Sequence, residues 1–231
     1  MSATLLGQSI LSGIFSGSLY ALLGLGLTLS WRYLKIINLA HFAFIFLAAY
    51  LTYQLAGPGG MAPLLVVALV APLFFVLGYA QQAFLEHFKV DEFASIIITF
   101  GMTILAETFI QWIWSADFVR LETHFLRGSW ELGPFFLPKQ EMLMSLAALA
   151  LCLLTAAFLR FTWVGKALRA GLDNPQIAAS FGVPNRKLSL LIAGIAGALA
   201  GVGGSFMALL FTLAPSQIYS WFGVVLAAVL L

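Results

Sequence analysis

Charge is what this chain has least of. Its 231 residues include 11 Lys or Arg and 9 Asp or Glu, 9% in all, where a soluble domain carries about a quarter. The formal net charge of +2 is too small to attract a polyanion, so nucleic acid is excluded as a partner. Cysteine occurs once, at Cys152 inside an apolar run, which rules out a disulfide framework and a thiolate metal site. The three histidines, His41, His87 and His124, lack the spacing of a metal site; His87 and His124 read as solvated loop residues. No G-x-x-x-x-G-K-[ST] loop is present, since Gly165-Lys166 is followed by Ala167. H-E-x-x-H and the G-x-S-x-G nucleophile elbow are missing too, so neither ATP hydrolysis nor a protease or esterase reaction is expected here. No cofactor is expected on this chain.

What remains is apolar sequence: 62% hydrophobic, with a mean hydropathy of +1.02. A bilayer core of ~30 Å takes about 20 apolar residues of helix. On that measure the chain is an all-α, polytopic helical membrane protein. It has six full spans, roughly 5–30, 39–56, 62–83, 94–115, 142–161 and 188–213. A seventh begins near Trp221 and is still apolar at Leu231, so it reads as incomplete. The second is short enough to be re-entrant instead. With no basic region or small-residue cleavage site at the N-terminus, the first run reads as a retained span. One transmembrane domain is expected over 1–231.

Positive charge orients it. The 161–187 loop holds Lys166, Arg169, Arg186 and Lys187, with Arg160 at its lip, and should face the cytoplasm. Counting spans back puts 31–38 (Arg32, Lys35) and 86–92 (Lys89) on the same side. Eight of the eleven basic residues then lie inside. The 86–92 loop, with three acids to one lysine, fits least well. The 116–141 segment falls outside, with Trp112, Trp114 and Trp130 suited to the interfacial belt.

The cytoplasmic loop over 162–187 is polar yet shows internal order. Asn174 reads as a helix cap, Pro175 as the first helical residue, Gly182 as a C-cap and Pro184 as a stop. A helix over 175–181 would carry Ile177, Ala178 and Phe181 on one face. Two turns are unstable alone, so this helix must dock, either on a partner or on its own bundle.

In the fourth span Ser95, Thr99, Thr103, Glu107 and Gln111 recur every four residues as one slowly winding polar stripe. A carboxylate in the bilayer faces a cavity, a pathway or a partner. The stripe therefore lines a polar route or forms an interhelical hydrogen-bond seam with Glu107 protonated or paired. Asn38 and His41 stand one turn apart at the inner end of the second span. They read as a gate or, more plainly, as a helix cap and an interfacial side chain bonded to a backbone carbonyl. Gln54, Gln81 and Gln82 sit at span ends and need no special role. Gly13, Gly17 and Ala21 in the first span, and Ala193, Gly197, Gly201 and Ser205 in the sixth, are small-residue packing seams, inside a bundle or between subunits.

Several stretches resemble a known family in the right order. Gly17-Ser18-Leu19-Tyr20-Ala21-Leu22, Gly24-Leu25-Gly26-Leu27-Thr28 and Ile37-Asn38-Leu39-Ala40-His41 are similar to the N-terminal signature of ABC importer permeases of the branched-chain amino-acid type. So are Ile98-Thr99-Phe100-Gly101, the run 193–204, and the loop Gly165-Lys166-Ala167-Leu168-Arg169-Ala170 with Asp173, Ala178-Ala179 and Phe181-Gly182-Val183. Phe42 stands where that family usually has glycine. The resemblance implies a permease subunit in a bacterial cytoplasmic (inner) membrane. Its partners would be a second permease, two ATPase subunits that hold the ATP, and an extracytoplasmic substrate-binding protein. By the same resemblance the loop around 175–181 is the coupling element, and transport is by alternating access. A secondary transporter or channel built on Glu107 is the alternative.

Overall fold

The structure is a computed structural model that describes residues 3–122, 128–133 and 135–230. His124, Arg127 and Leu231 lie outside the described residues. Helix α1 (Ala3–Leu29) runs into a π-helical turn, Ser30–Leu34, which ends at Lys35 with φ 54°. An extended stretch follows and leads to α2 (Ala40–Ala56). Then come α3 (Pro63–His87), α4 (Glu92–Trp114), an antiparallel hairpin of β1 (Ser129–Leu132) and β2 (Phe135–Pro138), and α5 (Lys139–Phe161). Next are α6 (Trp163–Asp173), α7 (Pro175–Ser180), α8 (Asn185–Leu210), a 3-10 turn (Pro215–Gln217) and α9 (Ile218–Leu230).

The chain is thus an all-α, multi-pass membrane protein, with five helices among the described residues long and apolar enough to cross a bilayer. Helix α2, at 17 residues, spans only ~25 Å, less than the hydrocarbon core. Several boundaries differ from the sequence reading. The third span runs on to His87, which ends a helix rather than lying in a loop. The sixth covers Asn185–Leu210 and so starts and stops three residues early. The last begins at Ile218, after the 3-10 turn. The hairpin was not legible from composition.

Helix α8 is the central post, with 83% of its most apolar window buried. Its small residues explain why. A Cβ on Gly197 would strike the Phe74 carbonyl oxygen of α3, and one on Gly78 would strike the Ala193 carbonyl. A Cβ on Gly204 would strike the Ile45 carbonyl of α2. Lacking side chains there, the backbones meet and gain dispersion contacts in a medium with no hydrophobic drive. Thr52 of α2 and Ser205 of α8 place their hydroxyls 2.9 Å apart in the same buried seam. Gly13 and Gly17 behave differently. Both face outward with nothing within 4 Å, so they are no seam within this chain. Phe42 is buried and packs edge-on against Phe222, ring centroids 5.1 Å apart.

The two ends of the bundle are distinct. At one end Gln8 grips Phe136 of β2 through both backbone groups (2.8 and 3.1 Å), Val119 and Leu213 exchange backbone bonds of 2.9 and 2.8 Å, and Trp114 Nε1 donates to Gln54 Oε1 at 3.0 Å. Trp112 and Trp130 are exposed near this end. At the other end the three segments assigned to the cytoplasm converge on one cavity.

Candidate functional site

That cavity is an open vestibule of about 860 Å³. Its walls come from the π-turn (Tyr33, Lys35), the α3–α4 corner (Glu86, His87, Glu92), α6 (Ala167, Leu168) and the start of α8 (Arg186, Ser189). Glu86 is its clasp. Its carboxylate accepts from Gln82 Nε2 (3.1 Å) and from the Ser189 hydroxyl, and lies 3.5 Å from Arg186 Nε. An acid in the last turn of α3 opposes that helix's dipole, but here it faces the first turn of α8, where negative charge is favoured. The exposed ion pair adds only about 0–1 kcal/mol. Geometry matters more, because Glu86 fixes where α8 begins. It also explains the acid-rich 86–92 segment, since Glu86 belongs to a helix and is partnered.

Above the vestibule the chain breaks between α1 and α2. Non-helical backbone at membrane depth is tolerated only where protein or water satisfies it. Asn38, within this break, is tied side chain to side chain to Gln81 of α3 as a reciprocal amide pair (Asn38 Nδ2 to Gln81 Oε1 3.1 Å, Gln81 Nε2 to Asn38 Oδ1 2.8 Å). Thr99 of α4 meets the backbone of the break itself, accepting from the Leu39 N–H at 3.1 Å while donating to the Ser95 carbonyl at 2.7 Å. Gln81 lies six residues before the end of α3 and Thr99 seven after the start of α4, ~9–10 Å into the bundle. His41 is fully buried, and its Nε2 donates to the Leu23 carbonyl at 3.1 Å, in space left by Gly26. Two expectations are corrected. Asn38 pairs with Gln81 rather than capping α2. His41 bonds a carbonyl as expected, but inside the bundle rather than at the interface. Gln81 and Gln82, expected to be idle, are buried and bonded.

The stripe on α4 therefore divides. Ser95, Thr99 and Thr103 are buried, their hydroxyls donating back to the Glu92, Ser95 and Thr99 carbonyls of α4 itself, and Thr99 also reaches across to the Leu39 N–H. Glu107 is half-buried, accepting from Tyr219 Oη at 2.7 Å and from Gln111 Nε2 at 3.2 Å. Tyr219 escaped sequence reading because only the reversal after Leu213 returns α9 to α4.

The elbow at 162–187 holds two helices, not one. Thr162 caps α6 by accepting from the Gly165 N–H at 3.2 Å, and a Cβ on Gly165 would collide with Leu159. Arg169 donates to the Leu159 and Arg160 carbonyls, each at 3.2 Å, closing the open end of α5. Ala170 and Asp173 are exposed on α6. Asn174 caps α7 as expected, its Oδ1 accepting from the Gln176 (3.1 Å) and Ile177 (3.0 Å) N–H groups. Helix α7 ends at Ser180 with Phe181 as C-cap, and Gly182 follows at φ 78°, the left-handed conformation that lets the chain turn into α8. The predicted apolar face is split. Ala178 docks on the chain itself, whereas Ile177 is 56% exposed and Phe181 85% exposed.

A family model described as the branched-chain amino acid transport system / permease component matches residues 9–231. The chain is 24% identical over 213 residues to the high-affinity branched-chain amino acid transport system permease protein LivH of Escherichia coli (strain K12), covering 85% of this chain and 68% of that protein. It is 27% identical over 227 residues to the probable branched-chain amino acid transport permease protein LivH of Methanocaldococcus jannaschii, covering 90% of this chain and 69% of that one. LivH of Salmonella typhimurium (strain LT2) is 24% identical over 213 residues. No solved structure matches the chain.

Proposed function

The chain belongs to the branched-chain amino acid transport permease family, and from that premise we propose that it is the membrane subunit of an ATP-driven importer for branched-chain or similar small amino acids. It works by alternating access in a cytoplasmic membrane. ATP is bound and hydrolysed on two partner subunits, a second permease completes the membrane part, and an extracytoplasmic binding protein delivers the substrate.

One observation carries this reading: the exposed pair Ile177 and Phe181 on a capped, ordered helix between α6 and α8, the two helices of the elbow that wall the vestibule. Large apolar side chains held outward on a polar elbow are what a partner's groove would cover. Helix α7 joins α8 through one short turn, and α8 is buried against α1, α2 and α3. A close-packed interior transmits displacement instead of absorbing it. Force applied at α7 therefore tilts α8 and, through Glu86, the inner end of α3. The α1–α2 break above the vestibule is where such a tilt alters access.

The test is energetic. Amino-acid uptake by cells carrying the chain with its partners should stop when ATP is depleted and persist when the ion gradients are collapsed. An ion-coupled carrier built on Glu107 gives the opposite pair of results and would overturn the proposal.

A further inference from the structure

Helices α2, α4 and α9 enclose something the elbow does not use. Beside Tyr219 lies a small pocket of about 120 Å³, walled by Phe42, Phe100, Ile218 and Phe222. Thr103 stands on its border, but its hydroxyl is occupied by the Thr99 carbonyl at 2.9 Å. The wall is therefore apolar in effect. The volume is somewhat less than a dry cavity of ~150 Å³ that admits benzene, which suits a short branched aliphatic group. Tyr219 belongs to two places at once. Its ring stands 6.4 Å from that of Phe100 at the pocket, while its hydroxyl donates to the Glu107 carboxylate at 2.7 Å. Glu107 also accepts from Gln111, and among the described residues no lysine or arginine forms an ion pair with it. Both donors to it are neutral, so the carboxylate has hydrogen bonds but no counter-charge. In the bilayer such a group is met by a proton or by a cation.

We propose that Glu107, Tyr219 and this pocket form a subsite for the substrate, with the ammonium group on the Glu107 carboxylate and a branched aliphatic side chain between Phe100 and Phe222. The assignment rests on the transport reading and narrows it to one place and one chemistry. Tyr219 and Gln111 act as positioning residues, holding the carboxylate so that a free lone pair on each oxygen faces the incoming cation. Phe100 and Tyr219, 45% and 42% exposed, leave the pocket open on the surface of the chain.

The experiment uses the full chain in lipid nanodiscs and a diazirine analogue of L-leucine as probe, with labelled peptides mapped by mass spectrometry. Label should fall on α4 near Phe100 and on α9 near Phe222. L-leucine and isoamylamine, which carry the amine, should compete with it, and isocaproate, which lacks the amine, should not. Glu107→Gln should lower labelling about tenfold or more, as expected for a lost charged hydrogen bond. Glu107→Asp should retain part of it. Tyr219→Phe keeps the pocket wall and should weaken labelling several-fold, which separates positioning from folding. Label elsewhere, no label at all, or equal competition by isocaproate overturns the subsite. ATP-dependent uptake surviving any of those results would leave the transport reading intact. Uptake indifferent to ATP, with label on α4 and α9, would overturn the drive and keep the subsite.

Discussion

Replacing Ile177 and Phe181 together by aspartate is expected to abolish co-purification of the ATPase partner and reduce uptake to background, while the chain itself elutes unchanged. Neither side chain supports the fold, since one is 56% and the other 85% exposed. Surface substitutions of that kind shift stability by about 0.5 kcal/mol or less. At an interface the same two positions count far more. A buried aromatic anchor is worth about 2 kcal/mol or more, and an aspartate in its place adds an unpaired charge to the groove. Together they exceed a hundredfold in affinity. The exposed Lys166, Arg169, Arg186 and Lys187 around the elbow would form a basic rim, which favours a partner surface of opposite sign. If the ATPase remains bound to the doubly substituted chain, the elbow is not its seat. A weaker companion change, Asn174→Ala, should cost α7 about 1 kcal/mol through its two capping bonds and loosen the complex without dissolving it.

A second large effect is expected inside the bundle. Gly197→Leu should prevent recovery of folded protein, read as loss of the monodisperse peak and of the thermal transition. Even a methyl group at Gly197 meets the Phe74 carbonyl and the Gly78 Cα, the latter at 3.1 Å. These are backbone atoms that no rotamer change can move. Overpacking costs about 1–3 kcal/mol where side chains can yield and more where they cannot. Separating α3 from α8 would also break the seam that places Glu86. Gly13→Leu and Gly17→Leu are the controls. Both positions are open for 4 Å around, so the isolated chain should fold normally with either. Loss of pairing with the second permease in those variants alone would put that partner on α1.

The helices were legible because each carries its own signal. Apolar length marks the spans, and Asn174, Pro175 and Gly182 mark α7 without any tertiary context. Helix α6 was missed although Val164, Ala167, Leu168 and Leu172 recur at helical spacing, because its lysine, its arginine and two glycines mark a loop by composition. Only Gly165, Ala167 and Leu168 are buried, and its capping threonine looks like any loop hydroxyl. The glycines at 197 and 201 were read as a seam and are one, whereas the same spacing at 13 and 17 meets open space. Spacing says that a close approach is possible, not what approaches. Non-local pairings stayed hidden for a related reason. Asn38 with Gln81, Glu86 with Ser189 and Tyr219 with Glu107 are 43, 103 and 112 residues apart, and no local pattern joins them. The α4 stripe announced its periodicity but not its division into a buried inner part and a partnered outer acid.

The central claim is that a partner seats on α7 at the cytoplasmic face, and cysteine labelling tests it most directly. Cys152 is the sole native thiol, so Cys152→Ala leaves a clean background for Ser180→Cys, an exposed position next to Phe181. A membrane-impermeant maleimide should label that cysteine in inverted vesicles and leave it untouched on intact cells. Co-expression of the ATPase subunit should block the labelling. Reaction on intact cells, or labelling in inverted vesicles that the ATPase does not slow, would contradict it.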